Sequence, residues 1–89
     1  MNIEDYADCI NAEIVVRRYD NQNNRWMAEF NHCEVKGEGV LIGTYGNGTT
    51  PQEAIQAYVD QICGKTVVFE AGTDRRREFT VPMQLRGLD

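Results

Sequence analysis

The sequence has no serine and a single histidine, His32, among its 89 residues. Serine hydrolases need a serine nucleophile and a base, so that class of enzyme is excluded. The three cysteines, Cys9, Cys33 and Cys63, form no CxxC pair, which argues against a zinc knuckle and a disulfide framework. His32 and Cys33 are neighbours on a predicted strand and point to opposite faces, so they suit neither one metal nor a catalytic pair. We predict no enzymatic activity, metal or cofactor.

Long hydrophobic runs are also absent. No apolar segment approaches the ~20 residues that span a bilayer. The first eight residues, MNIEDYAD, are acidic where a signal peptide would be basic. The length suits one domain over residues 1–89, and 42% hydrophobic with 26% charged residues is the balance of a folded chain. We therefore predict a single cytoplasmic domain without a membrane partner.

Positive charge is scarce. The sequence has nine Lys and Arg but fourteen Asp and Glu, so the net charge is −5. A field of this sign repels phosphate backbones and favours encounters with basic partners. The run Arg75-Arg76-Arg77 could contact nucleic acid, but arginines on strands also stand on the solvent face and pair with glutamates. We do not predict direct binding to nucleic acid.

Two helices are predicted from their capping signals. Asn2 can cap a first helix over residues 3–11, in which apolar residues recur on one face. Thr50-Pro51-Gln52-Glu53 fits a capping box with proline at the first helical position. Gly64 is the expected stop of this second helix, which should end within a residue or two of Cys63.

Five strands are predicted between and after the helices. Alternation over residues 25–36 puts Trp26, Ala28, Phe30 and His32 on the core face. The other strands are 12–19, 40–45, 65–69 and 76–81, with a polar turn over 20–24, and the tail 83–89 is expected to fray. The predicted fold class is α+β, in the order α-β-β-β-α-β-β, with one antiparallel sheet and both helices on one face. The edges of so small a sheet leave a homodimer open.

Glycine is concentrated just before the second helix, in GTYGNGTTP over residues 43–51. A phosphate loop of the Walker type would need a lysine after its last glycine, and this loop has none. Pro51 also removes one of the N–H donors that such a site would use. We interpret the loop as a strand-to-helix turn in which Gly46-Asn47-Gly48 supply positive φ angles.

Acidic side chains are the remaining candidate for a working surface. They fall into two groups, Glu4, Asp5 and Asp8 at the front of the chain and Glu29, Glu34 and Glu38 along the second strand and its turn. Carboxylates in such groups can bind the lysines and arginines of a partner. The same residues could equally serve only to solvate the surface.

Three segments, Gly48–Ile55, Gly64–Phe69 and Arg77–Pro82, resemble small proteins of phage and prophage origin, anti-CRISPR proteins among them. The resemblance extends to size, acidity and the plan of helices on an antiparallel sheet. It implies an inhibitor that binds a basic surface of a host protein complex for defence or nucleic-acid handling, in the host cytoplasm.

A narrower resemblance covers residues 14–62. A strand, then Thr50-Pro51-Gln52-Glu53-Ala54, then a helix is similar to antitoxin domains of the HicB type, whose sheet and helix resemble a double-stranded-RNA-binding fold. It implies the alternative function of neutralising a small basic toxin.

Overall fold

The computed structural model describes residues 1–19 and 24–88. The two helices are α1, Ile3–Cys9, and α2, Pro51–Ile62. The strands are β1 Ile14–Arg18, β2 Trp26–Phe30, β3 Cys33–Lys36, β4 Leu41–Ile42, β5 Gly46–Gly48, β6 Thr66–Phe69 and β7 Arg77–Thr80. The predicted α+β class is confirmed, while most of the predicted turn at 20–24 lies outside the described residues.

The strands form two antiparallel sheets instead of the single five-stranded sheet that the sequence predicts. β1, β2 and β5 form the first sheet, and β4, β3, β6 and β7, in that order, form the second. The prediction was wrong in strand number for two reasons. The predicted strand 25–36 is divided into β2 and β3, one in each sheet, and residues 46–48, predicted as a turn, form the additional strand β5. The predicted strand 40–45 contains only β4.

The division between β2 and β3 lies at Asn31 and His32. His32 has a φ of 56°, a left-handed conformation that ends the regular alternation of β2. Phe30 is buried before the break, and Val35 is buried after it. Because Phe30 and Val35 are an odd number of residues apart, one uninterrupted strand could not direct both side chains to the core. His32 itself is exposed, so the alternation that places residues 26, 28, 30 and 32 on the core face does not hold at this residue.

The additional strand β5 explains the glycine loop. In the described chain only Gly39 and Gly64 have positive φ among the glycines, so the predicted positive φ angles at 46–48 are wrong. These residues instead form β5, which pairs with β2 and lies against α2. A Cβ at Gly46 would overlap the Ala54 carbonyl oxygen, and one at Gly48 would lie 2.5 Å from the Ala54 nitrogen. Glycine is needed here because strand and helix backbones touch.

Both helix starts are confirmed in detail. The Asn2 side chain accepts a hydrogen bond of 2.9 Å from the Asp5 N–H, and Thr50 Oγ1 accepts one of 3.1 Å from the Glu53 N–H. The Glu53 carboxylate turns back to accept from the Thr49 N–H, at 3.3 Å. α2 ends as predicted, whereas α1 ends at Cys9 and is shorter than the predicted 3–11.

One hydrophobic core joins the two sheets and the two helices. Phe30 lies where they meet, with ring centroids 6.5 Å from Tyr6 of α1, 5.6 Å from Tyr58 of α2 and 5.7 Å from Phe69 of β6. The predicted fraying of the tail is wrong for residues 83–88, because Leu85 is buried and the Ile3 N–H donates to the Arg86 carbonyl at 2.8 Å.

Candidate functional site

Three neighbouring clefts share lining residues and therefore form one continuous surface. The cleft beside α1 shares Ala12 and Glu13 with a central cleft, and the central cleft shares His32 and Glu70 with a cleft beside β3. Six carboxylates lie along this surface, and we term them the acidic belt: Glu4, Asp8, Glu13, Glu29, Glu34 and Glu70.

The elements of the fold bring the belt residues together from distant parts of the chain. Glu4 and Asp8 are four residues apart on α1 and thus lie on one helix face. Glu29 is on β2 and Glu34 on β3, on either side of the break at residues 31–32. Glu13 and Glu70 lie just before β1 and just after β6. The belt thus crosses both sheets and the first helix.

Four of the six predicted site residues belong to the belt, and two do not. Asp5 and Glu38 are exposed and line none of the three clefts. Sequence reasoning missed Glu13 and Glu70, because both lie in connecting segments whose position is set only by how the two sheets pack. Nothing in the sequence pattern marks Glu70, and its unusual φ of 50° is visible only in the structure.

Most of the belt carboxylates have no cation beside them. Arg17 lies 3.6 Å from Glu29, and within the described residues the other five belt carboxylates form no ion pair. Lys36 and Arg76 both bind Glu78 outside the belt, at 3.1 Å and 2.8 Å. Hydrogen bonds from these two cations lower the pKa of the Glu78 carboxyl. Lys36 and Arg76 therefore neutralise Glu78, and within the described residues five of the six belt carboxylates have no ion-pair partner.

Among the described residues that line the central cleft, Arg77 of β7 is the one arginine or lysine. Its guanidinium donates hydrogen bonds to the main-chain carbonyls of Ile10, at 2.7 Å, and Asn11, at 3.3 Å. It also lies over two rings, 5.2 Å from the centroid of Phe69 and 5.5 Å from that of Phe79. These contacts fasten the end of α1 to the second sheet and fix the guanidinium at the cleft.

The backbone turns sharply three times around the same cleft. Asn11, His32 and Glu70 have φ angles of 54°, 56° and 50°, and all three line it. The Asn31 N–H donates to the Glu13 carbonyl at 2.9 Å, and the Glu70 N–H donates to the His32 carbonyl at 3.0 Å. Left-handed conformations are unfavourable for residues with a side chain, so tertiary contacts must hold them.

Cys33 and His32 both line the cleft beside β3, which the sequence analysis did not anticipate. No hydrogen bond joins them, and the Cys33 thiol contacts the Glu34 carbonyl at 3.7 Å. Burial raises the pKa of the Cys33 thiol to about 11, so the thiol is protonated at neutral pH. A nucleophilic cysteine needs the opposite shift, because the thiolate is the reactive form.

Within residues 1–19 and 24–88, no group of His, Cys, Asp and Glu side chains is placed to hold a metal ion. None of the helices there has the length and apolar character that crossing a membrane requires. No protein-family model, curated protein or solved structure matches this chain.

Proposed function

We propose that this protein is a non-enzymatic interaction module whose acidic belt binds a basic surface of a partner protein. The observation that carries the proposal is that five carboxylates, none of which forms an ion pair within residues 1–19 and 24–88, share one continuous surface. Like charges held together in this way repel one another and raise the free energy of the unbound protein. Lysines and arginines of a partner would relieve that repulsion and speed association.

The partner class follows from the charge and from the resemblance to phage-encoded inhibitors. A host complex that handles nucleic acid carries a basic surface for phosphates, and a belt of carboxylates presents the same sign of charge as a phosphate backbone. Binding would cover that surface and inhibit the complex in the host cytoplasm. Burial raises the pKa of Cys33, which argues against this thiol as a nucleophile.

Two variants with the same net charge test this proposal. A belt variant carries Glu4→Gln, Asp8→Asn, Glu29→Gln and Glu34→Gln. A control variant carries Asp5→Asn, Glu38→Gln, Asp60→Asn and Asp74→Asn at exposed sites outside the belt. Each changes the net charge of −5 by four units, so a difference between them reports position and not total charge.

Affinity capture from a host lysate, followed by mass spectrometry, is the measurement. Wild type and the control variant should recover the same protein complex, and the belt variant should lose it. Binding should weaken as NaCl rises from about 0.05 to 0.5 M, because screening shortens the range of the field. Equal capture by both variants, or no specific protein with wild type, would contradict the proposal.

A second candidate is an antitoxin that neutralises a small basic toxin. Three strands, β1, β2 and β5, form one sheet, and α2 packs on it. This arrangement favours the antitoxin candidate, because all four elements lie within residues 14–62, which the HicB resemblance covers. The capture experiment separates the two, since here the recovered partner would be a small basic protein encoded beside this chain.

A further inference from the structure

Arg77 is a half-buried cation that the described chain does not pair with a carboxylate. A guanidinium carries five N–H donors. One donor from each terminal nitrogen binds a main-chain carbonyl, and the remaining donors have no acceptor among the described residues. The two aromatic rings and the two carbonyls hold the group in place, so a ligand would not have to order it.

Glu13 and Glu70 line the same cleft, and neither forms an ion pair with Arg77. Opposite charges therefore lie in one small cleft without neutralising each other. A simple anion that reached Arg77 would meet the two carboxylates, and a simple cation that reached the carboxylates would meet Arg77. A ligand that carries both charges, a short distance apart, satisfies all three groups.

The rest of the lining limits the size and character of such a ligand. The cleft has a volume of about 190 Å³, and Phe69 and Ala12 add apolar surface beside the amides of Asn11 and Asn31. This volume is below the roughly 300 Å³ at which sites for drug-sized ligands begin. It suits a molecule of the size of a single amino acid.

We propose that the central cleft binds a free α-amino acid, with the carboxylate on Arg77 and the ammonium on Glu13 and Glu70. This inference goes beyond the proposed function, because it requires no partner protein. The site stands at the middle of the acidic belt, where a bound ligand would alter the surface that a partner contacts.

The test is a titration of the ¹⁵N-labelled full chain with each standard amino acid, followed by ¹H–¹⁵N NMR. A concentration of about 10 mM detects a site with a Kd near 1 mM. The expected result is that at least one amino acid shifts the amide signals around the central cleft. Two derivatives of the strongest ligand then serve as probes, its N-acetyl form, which lacks the ammonium, and its amide, which lacks the carboxylate. Each should bind about tenfold more weakly or worse.

Three variants assign the two charges to residues. Glu13→Gln and Glu70→Gln should each weaken binding about tenfold, and Arg77→Lys should do so because lysine lacks the planar fork. Asp74→Asn, an exposed acid outside the cleft, should leave the Kd unchanged. If Arg77→Lys does not fold, the two glutamate variants and the derivatives still decide the matter.

The proposal is wrong if no amino acid shifts the cleft signals, or if the acetyl and amide derivatives bind as well as the parent. Failure here is distinct from failure of the partner-binding proposal, because the belt variant leaves Glu13, Glu70 and Arg77 unchanged.

Discussion

At the scale of single residues, Gly46 makes the tightest demand on the sequence. Its missing Cβ leaves room for the α2 backbone, so we expect Gly46→Ala to lower the free energy of unfolding by about 3 kcal/mol, as overpacking does. Gly43 belongs to the same loop, and a Cβ there meets nothing within 4 Å. Gly43→Ala is thus the matched control and should change stability little. Urea denaturation measures both, and equal effects would contradict the role of close packing.

The Cys33 thiol gives a second prediction at this scale. Burial raises its pKa from 9.0 to about 11, so at neutral pH its thiolate fraction is about 100-fold lower than that of an ordinary thiol. Alkylation by iodoacetamide should be correspondingly slow and should accelerate until the pH reaches about 11. Peptide mapping after timed labelling measures the rate. Faster labelling than free cysteine near neutral pH would instead favour a catalytic thiol.

The same shift makes stability depend on pH. Between pH 9.0 and about 11 the unfolded chain loses the Cys33 proton while the folded chain keeps it, so stability falls as the pH rises through this window. Burial also raises the pKa of Tyr58, which extends the loss of stability to higher pH. Cys33→Ala should remove the contribution of Cys33 to the slope of unfolding free energy against pH, as measured by urea denaturation across this pH window. An unchanged slope would show that other groups cause it.

At the scale of elements, α2 depends on its first turn. Thr50→Ala removes the acceptor for the Glu53 N–H and should lower the free energy of unfolding by about 1 kcal/mol, as N-cap substitutions do. Thr49→Ala is the matched control, because its exposed hydroxyl binds the Glu53 carboxylate and caps no helical N–H. Thermal unfolding of both variants measures the difference, and a larger effect at Thr49 would place the cap one residue earlier than the structure does.

At the scale of the whole molecule, the acidic belt should reduce stability in the absence of a partner. The belt variant has four carboxylates made neutral, so its free energy of unfolding should be about 1 kcal/mol higher than that of wild type at low salt. The control variant should show a smaller increase. The gain should shrink between about 0.02 and 0.3 M NaCl, because salt already screens the repulsion in wild type. Equal gains in both variants would mean that total charge matters and position does not.

The sequence alone determined both helices and the α+β class. Capping residues lie within a few positions of the N–H groups that they satisfy, and the apolar spacing of α2 is a local pattern, so neighbouring residues suffice to predict them. The strands 66–69 and 77–80 were equally readable. The first is apolar and β-branched, and the second alternates half-buried with exposed residues. Four of the six belt carboxylates, those on α1, β2 and β3, were readable as well.

Only the tertiary structure decided the division into two sheets and the composition of the site. The break at His32 depends on main-chain hydrogen bonds from Asn31 to Glu13 and from Glu70 to His32, which join distant parts of the chain. Gly46 was read as a flexible turn residue because its neighbour α2 is not visible in a linear pattern. The acidic belt and the Arg77 cleft likewise exist only because packing brings together residues that the sequence keeps far apart, and a pattern of nearest neighbours carries no information on such contacts.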